Sequence, residues 1–279
     1  MTRLETLWAA FGLLYFVAST LVGAVLAVAS FPFDRSGNAV MVLARVWSRL
    51  LLAVSRVRVT VRQHGELSDG QAYVFAANHT SSVDIWALFV VLPVNFRFIA
   101  KKQLGRIPLF GWAMAAGRFI FIDRQNPAAA RGSIARAAER IRSGTSVAIF
   151  PEGTRSRDGS LGPFKKGGGH LAAEAEVPIV PIAIRGGREV MPRGNLLIRP
   201  GHVHVDVGAP IPTDRSTTPA ERQLLMARVR DEVARLLALP LDREDIAAAP
   251  PVSRVAVKAV KSRLPPETRG RGRGRTGDR

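Results

Sequence analysis

The chain has 279 residues, a formal net charge of +18 and no cysteine. This length is enough for one sizeable core with appended segments, and the lack of cysteine excludes disulfides, thiolate zinc sites and thiol catalysis. The positive charge favours an anionic partner, such as a phosphorylated substrate, anionic lipid or nucleic acid. The five histidines form no His-x3-His or His-Glu-x2-His pattern, so we predict no metal site.

The N-terminal segment is strongly apolar. No charged residue occurs from Leu7 to Phe33, and as a helix this stretch would be about 40 Å long, enough to cross a hydrocarbon core of about 30 Å. We predict a retained membrane anchor, although its glycines also allow a kinked or re-entrant path. A signal peptide is the competing interpretation, because Ala27-Val28-Ala29 resembles a cleavage site. Arginines follow the stretch, which places the body of the protein on the cytoplasmic face of the cell (inner) membrane.

A second helical pattern runs from Val40 to Val57. Its three arginines fall on one side of a helical wheel, and apolar residues including Trp47 fall on the other. A basic amphipathic helix with a tryptophan is typical of a membrane interface. We therefore predict that residues 1–57 form a membrane anchor followed by an interfacial helix. An ordinary helix packed on the domain is the alternative for the second segment.

Alternating or continuously apolar stretches predict the strands of an α/β domain over residues 58–245. The predicted strands are 57–63, 73–77, 96–100, 118–122, 146–150, 177–184 and 203–207. Two prolines in 177–184 predict an edge strand or one that lines the site, because proline lacks a donor for the sheet. Thr218-Pro219-Ala220-Glu221 predicts a capping box that opens an amphipathic helix. The remaining residues, 246–279, are predicted to be a basic disordered tail.

The central stretch of the domain is the strand at 73–77 together with the turn and helix after it. Asn78 and His79 come at the strand end, residues 80–82 can cap a helix, and Asp84 falls in its first turn. This spacing brings the two side chains together, with His79 as a base and Asp84 fixing its tautomer. Because there is no Gly-x-Ser-x-Gly nucleophile, the pair is predicted to activate a hydroxyl of the substrate. The alternative is a capping or core histidine.

Other predicted strand ends carry charged and polar side chains too. They are Lys101 and Lys102 after 96–100, Asp123 and Arg124 after 118–122, and Glu152, Thr154 and Arg155 after 146–150. The carboxyl ends of strands in open α/β sheets form ligand sites, and several cations there suit a phosphate. The residues therefore predict a base beside a phosphate clamp, near a membrane.

These residues belong to four ordered motifs. They are Asn78-His79-x4-Asp84, Gly117-x3-Phe121-Ile122-Asp123-Arg124, Phe150-Pro151-Glu152-Gly153-Thr154-Arg155-Ser156 and Val177-Pro178-Ile179-Val180-Pro181. In order and spacing, they resemble the glycerolipid acyltransferase family, and its 1-acyl-glycerol-3-phosphate acyltransferase branch best. Lys101-Lys102-Gln103-Leu104 is also similar to that branch, although a Glu is usual where Gln103 stands. The resemblance covers roughly residues 40 to 210.

The resemblance implies an α/β fold with a mixed, mostly parallel central sheet flanked by helices. It implies transfer of an acyl group from acyl-CoA or acyl carrier protein to the sn-2 hydroxyl of lysophosphatidic acid at a membrane, without a cofactor. His79 would be the base, held by Asp84, and backbone N–H groups near Gly153 are candidates for the oxyanion. The residues implied to hold the glycerol phosphate are Arg124, Glu152, Gly153, Thr154, Arg155 and Lys102, with Lys101 as the alternative to Lys102. Pro181 would be a wall for the acyl chain or the catalytic loop.

Other functions remain open at this point. Within the enzyme class, the acceptor could be glycerol-3-phosphate, another lysophospholipid or a lyso-ornithine lipid. The Arg-Gly tail and the charge suggest a nucleic-acid binder, but no basic strand pattern with interleaved aromatics accompanies them. A lipid-binding scaffold without turnover is the third class. We expect a membrane lipid surface, lysophosphatidic acid and an acyl donor as partners, and no nucleic acid.

Overall fold

The computed structural model describes residues 3–123, 127–215 and 218–241. The helices are α1 (Arg3–Ser30), α2 (Asn38–Val54), α3 (Val83–Val91), α4 (Phe110–Ala116), α5 (Pro127–Arg142), α6 (Gly167–Ala175), α7 (Gly187–Val190) and α8 (Pro219–Ala238). The strands are β1 (Val57–Gln63), β2 (Val74–Ala77), β3 (Phe96–Lys101), β4 (Ile120–Ile122), β5 (Ser146–Ile149), β6 (Ile179–Arg185) and β7 (Gly201–Val207). A 3-10 turn spans Lys102–Arg106. The predicted tail, 246–279, lies outside the described residues.

The strands form one seven-stranded sheet in the order β1-β7-β6-β2-β5-β3-β4. All neighbouring pairs are parallel except β6 and β7, which are antiparallel. The predicted mixed, mostly parallel sheet is therefore confirmed. The parallel strands β2, β5 and β3 end at the same edge, where His79, Glu152 and Lys101 lie.

Each face of the sheet is covered by helices. Along β2, Phe75 and Ala77 pack in the cluster that contains α3, whereas Val74 and Ala76 pack in the cluster that contains α5 and α6. This alternation follows from the two-residue period of a strand. Burial on both faces explains why β2 reads as a continuous apolar run. The predicted capping box is present at α8, with both of its hydrogen bonds.

Strand β6 lies inside the sheet, between β7 and β2, so the prediction of an edge strand was wrong. Pro181 occupies a place where its missing N–H is tolerated. The backbone N and O atoms of one residue point to the same side of a strand, and the Pro181 carbonyl accepts from Gly208 N–H just beyond the end of β7. Two residues before Pro181 in the chain, Ile179 forms an isolated bridge with Ile211. The proline therefore falls between two pairing regions.

Helix α1 packs against α2 and α4 rather than standing apart from the domain. Trp8 Nε1 donates to the Val54 carbonyl (3.0 Å), and Trp47 Nε1 donates to Ser19 Oγ (3.0 Å). By length and composition, Ala10–Ser30 is the one stretch of the described helices that could cross a membrane. Its outward surface is apolar. Exposed side chains on this surface include Phe11, Leu14, Val17, Leu21, Val22, Val25 and Leu26.

Helix α2 is packed on the domain, the alternative interpretation of this segment. Leu51 and Leu52 are fully buried in the cluster that contains α3. Arg45 does not project into a basic outer stripe, because its Nη2 donates to the Val94 carbonyl. Burial lowers the pKa of Arg45, and the neighbouring Arg49 adds to this effect. Some of the helix remains apolar and exposed, at Val46 for example.

Candidate active site

The site begins where β2 ends, at Asn78. Its side-chain amide donates to the Ile184 carbonyl (2.9 Å), and its side-chain oxygen accepts from Ile184 N–H (2.7 Å). The buried amide thus satisfies both backbone polar groups of Ile184 in β6. These two hydrogen bonds connect the end of β2 to the end of β6. The chain then turns away from the sheet at His79.

His79 and Asp84 are in contact, as their spacing predicts. His79 Nδ1 lies 2.9 Å from Asp84 Oδ2, and the carboxylate is fully buried. The same oxygen accepts from the backbone N–H groups of Thr80 (2.7 Å) and Ser81 (2.8 Å). Ser82, the N-cap residue of α3, makes no side-chain cap; Ser81 Oγ accepts from Val83 N–H at the helix start (3.2 Å), and Asp84 holds the turn just before it. Because Nδ1 donates to Asp84, Nε2 is the acceptor nitrogen of the neutral ring.

His79 is also held by the loop after β5. Its imidazole ring stacks on Phe150 with a centroid distance of 3.8 Å and an interplanar angle of 13°. Its backbone N–H donates to Glu152 Oε1 (2.8 Å), and its carbonyl accepts from Ser156 N–H (2.8 Å). Packing and backbone contacts therefore hold His79 in one orientation before any ligand arrives.

Glu152 helps to hold His79 in place through the backbone N–H of that residue. Its second oxygen, Oε2, accepts from Gly162 N–H (3.1 Å), so both oxygens bind backbone amides. Burial raises the pKa of Glu152, while the bonds from His79 and Gly162 act in the opposite direction. Glu152 does not line the cavity that opens on the other side of His79. The structure thus gives it a positioning contact with His79, and its contact with substrate stays a prediction.

A cavity of about 580 Å³ opens beside His79. Its lining is mostly apolar and comes from α1, α2, α3, α4 and β3. The apolar lining includes Phe16, Ala24, Ala27, Val40, Leu43, Trp47, Ile85, Trp86, Phe89, Phe98, Phe110, Ala113 and Phe119. Among the described residues, three cationic side chains line it: Lys101, Arg155 and Arg193. The site therefore combines a base, positive charge and a long apolar surface.

Three of the predicted binding residues, Gly153, Thr154 and Arg155, line this cavity. Gly153 has a φ of 83°, a left-handed conformation that favours glycine. Its N–H donates to the Phe150 carbonyl (3.0 Å) within the turn, and an oxyanion role for backbone N–H groups near Gly153 stays a prediction. Arg155 Nη1 donates to Ser82 Oγ (2.9 Å), which holds the guanidinium beside the start of α3.

The other predicted residues are placed differently. Lys102 forms an exposed ion pair with Asp123 (3.3 Å) and does not line the cavity, whereas its alternative, Lys101, does. Arg124 lies outside the described residues. Pro181 is buried in β6. Two residues further along the strand, Ala183 packs against α8. Since residues two apart share a face of a strand, Pro181 faces α8 and does not line the cavity; its role as a wall stays a prediction.

Sequence reasoning missed Arg193. It follows α7 in a loop without a recognised motif, and its Nη1 donates to the Arg155 carbonyl (2.9 Å). It also missed that α1 and α2 form much of the cavity wall. No group of three or more His, Asp or Glu residues in the described ranges is placed to hold a metal ion.

Comparisons with known proteins agree with this fold. Residues 58–185 match the family model described as Acyltransferase. A chloroplastic 1-acyl-sn-glycerol-3-phosphate acyltransferase of Brassica napus is 40% identical over 139 residues, which cover 50% of this chain and 40% of that protein. The human 1-acyl-sn-glycerol-3-phosphate acyltransferase alpha is 36% identical over 175 residues, 62% of each chain. The crystal structure of the 1-acyl-sn-glycerophosphate acyltransferase PlsC from Thermotoga maritima aligns with a TM-score of 0.70 at 22% identity, covering 85% of this chain and 98% of that one.

The chain carries a domain, residues 58–185, that matches the acyltransferase family. The Brassica napus and human relatives are 1-acyl-sn-glycerol-3-phosphate acyltransferases, and the fold is that of the Thermotoga maritima enzyme. The matches to plant relatives from Brassica napus, Cocos nucifera and Arabidopsis thaliana cover 40%, 57% and 48% of those proteins. This chain therefore spans about half the length of the first curated relatives it matches.

Proposed function

We propose that this protein transfers a fatty acyl group from a thioester, acyl-CoA or acyl carrier protein, to the sn-2 hydroxyl of 1-acyl-sn-glycerol-3-phosphate. The product is phosphatidic acid, a precursor of phospholipids. One observation carries the proposal: a His79–Asp84 pair with an Nδ1–Oδ2 distance of 2.9 Å borders a cavity that is both cationic and apolar. The named relatives support the acceptor, since their names specify it.

The chemistry follows from the direction of the histidine. Nε2 accepts the proton of the acceptor hydroxyl while the oxygen attacks the thioester carbonyl, and Asp84 stabilises the imidazolium that forms. When the tetrahedral intermediate collapses, the carbon–sulfur bond breaks and the thiolate takes the proton from Nε2. No acyl-enzyme is needed, which agrees with the lack of any cysteine in the chain.

The cavity lining supports the proposal for both ends of the lipid. Arg155 lies beside the start of α3 and can bind a phosphate through charge-assisted hydrogen bonds, which contribute roughly 1.5–3 kcal/mol each. The apolar lining from α1, α2 and α4 suits an acyl chain. The outward apolar side of α1 supports association with the cell (inner) membrane, with the domain on the cytoplasmic face.

The test is acyl transfer by purified protein, using labelled acyl thioester and a panel of lyso-acceptors. We expect lysophosphatidic acid to be the best acceptor, and His79→Ala to lower kcat by about 10²- to 10⁴-fold. His170→Ala is the matched control, since His170 pairs with Arg222 away from the cavity and should leave the rate within about threefold. Near-normal activity of His79→Ala would remove this histidine from the mechanism. Lipid binding without thioester consumption would favour a scaffold.

A further inference from the structure

Arg193 is a cavity cation that no motif assigns. It lies in the loop between α7 and β7, it is exposed, and it lines the same cavity as His79 and Arg155. Its Nη1 donates to the Arg155 carbonyl at 2.9 Å. This bond uses one of the five N–H groups of the guanidinium, which leaves four for a ligand.

The two arginines are joined in one arrangement around the start of α3. Arg155 Nη1 donates to Ser82 Oγ at 2.9 Å, and Ser82 lies two residues before Asp84 in the chain. Arg193 is bonded to the backbone of Arg155 itself. Both guanidinium groups are thus attached to the segments that position the His79–Asp84 pair, and both border the cavity.

The charge of the acceptor calls for more than one cation. A phosphomonoester carries about −1.5 to −2 near neutral pH, whereas a phosphodiester carries one negative charge. Arg155 alone would balance only the diester. Two other described cations line the cavity: Lys101 at the end of β3, and Arg193, which is bonded directly to the Arg155 backbone. Arg193 supplies the additional positive charge on the same side as Arg155.

We propose that Arg193 binds the acceptor phosphate together with Arg155, and that this pair makes the site select a phosphomonoester over a phosphodiester headgroup. The inference rests on the proposed acyltransferase function and specifies its acceptor. Arginine suits the role because its planar fork binds phosphate oxygens with two parallel hydrogen bonds. Arg193 is an acceptor-binding residue here and takes no part in proton transfer.

The experiment compares Arg193→Ala with wild type on two acceptors, lysophosphatidic acid and lysophosphatidylglycerol. We expect KM for the monoester to rise by about 10- to 100-fold with kcat within a few fold, since a charged hydrogen bond is lost. KM for the diester should change by less than about threefold, so the preference between the two acceptors collapses. Arg193→Lys, which keeps the charge but loses the fork, should restore part of the preference.

Arg199→Ala is the matched control, because Arg199 is an exposed arginine further along the same loop that does not line the cavity. It should leave both KM values unchanged. Equal losses on both acceptors for Arg193→Ala would overturn the proposal, because they would mean that Arg193 only supports the Arg155 loop. An unchanged preference would overturn it as well.

A direct binding measurement separates this inference from the proposed function. Calorimetry with lysophosphatidic acid in detergent micelles should show a Kd for Arg193→Ala that is about 10- to 100-fold higher than for wild type. If wild type transfers no acyl group to any acceptor, the proposed function fails, yet this Kd still tests Arg193. If wild type is active and the two Kd values agree, only the inference about Arg193 fails.

Discussion

Asp84→Asn is the sharpest test of the proposed base. The substitution keeps the size of the side chain, and its amide oxygen can still accept from the N–H groups of Thr80 and Ser81. What it removes is the negative charge next to His79. Asp84 is fully buried, so water cannot take the place of that charge. The variant should therefore fold normally and fail in the step that creates a positive imidazolium.

The size of the effect follows from the contact. His79 Nδ1 and Asp84 Oδ2 are 2.9 Å apart, which places the charge centres at about 4 Å. At an effective dielectric constant of about 20, that pair is worth about 4 kcal/mol. Each 1.36 kcal/mol or so changes a rate tenfold, so kcat should fall by about 10³-fold. The acceptor KM should hardly change, because Asp84 does not line the cavity.

The assay is initial-rate acyl transfer for wild type, Asp84→Asn, His79→Ala and the double variant. If Asp84 acts through His79, adding Asp84→Asn to His79→Ala should lower kcat by less than about threefold further. Two independent 10³-fold effects in the double variant would refute this dependence. A single Asp84→Asn variant that keeps kcat within tenfold of wild type would refute the charge argument itself. Circular dichroism and thermal unfolding check that each variant is folded.

Two further predictions concern the cavity and the buried carboxylate of Asp206 in β7. Gly23 lines the cavity and a Cβ there would meet no atom within 4 Å, so Gly23→Leu should fill free space and shift the acyl-chain preference to shorter thioesters; an unchanged chain-length profile contradicts this. Burial opposes ionisation of Asp206, but its bonds with His204 and His64 and the charge of Arg185 lower its pKa to about 2. Its stabilising effect is therefore complete above the usual pKa of 3.8 and lost as pH falls toward 2. Asp206→Asn should reduce the free energy of unfolding by about 3 kcal/mol at pH 7, and denaturant titrations should show the gap closing between pH 4 and pH 2; a constant gap contradicts the assignment.

The fold was predictable where local pattern and burial agree. β2 is a continuous apolar run because both of its faces are covered, and the capping box of α8 is a local signal. Strand β6 was misplaced because the rule about proline is local, whereas the tolerance for Pro181 comes from partners elsewhere in the chain. The gap between the Ile211 bridge and the β7 ladder depends on sheet register, which no single stretch encodes.

The candidate site was predictable where the contacting residues are close in sequence. His79 and Asp84 are five positions apart, and a strand followed by a helix nearly determines their distance. Lys101 and Lys102 are neighbours that point in different directions, so a shift of one residue at the end of β3 decides which one lines the cavity. Arg193 reaches Arg155 across 38 residues, and only the tertiary fold reveals such a contact.

Helix α1 separates the apolar cavity from the apolar outer surface of the protein. Phe16 and Ala27 border the cavity, while Leu14 and Val22 lie on the exposed surface, and the helix is about 10 Å thick. If lipid surrounds that surface, as proposed, an acyl chain that moves past α1 leaves the hydrocarbon of the bilayer and enters the apolar cavity without contacting water. Hydrating a tail of about sixteen carbons would cost on the order of 12 kcal/mol at roughly 0.8 kcal/mol per methylene. Sideways loading past a single helix avoids that barrier, so the speed of turnover would depend on how readily α1 and α4 separate.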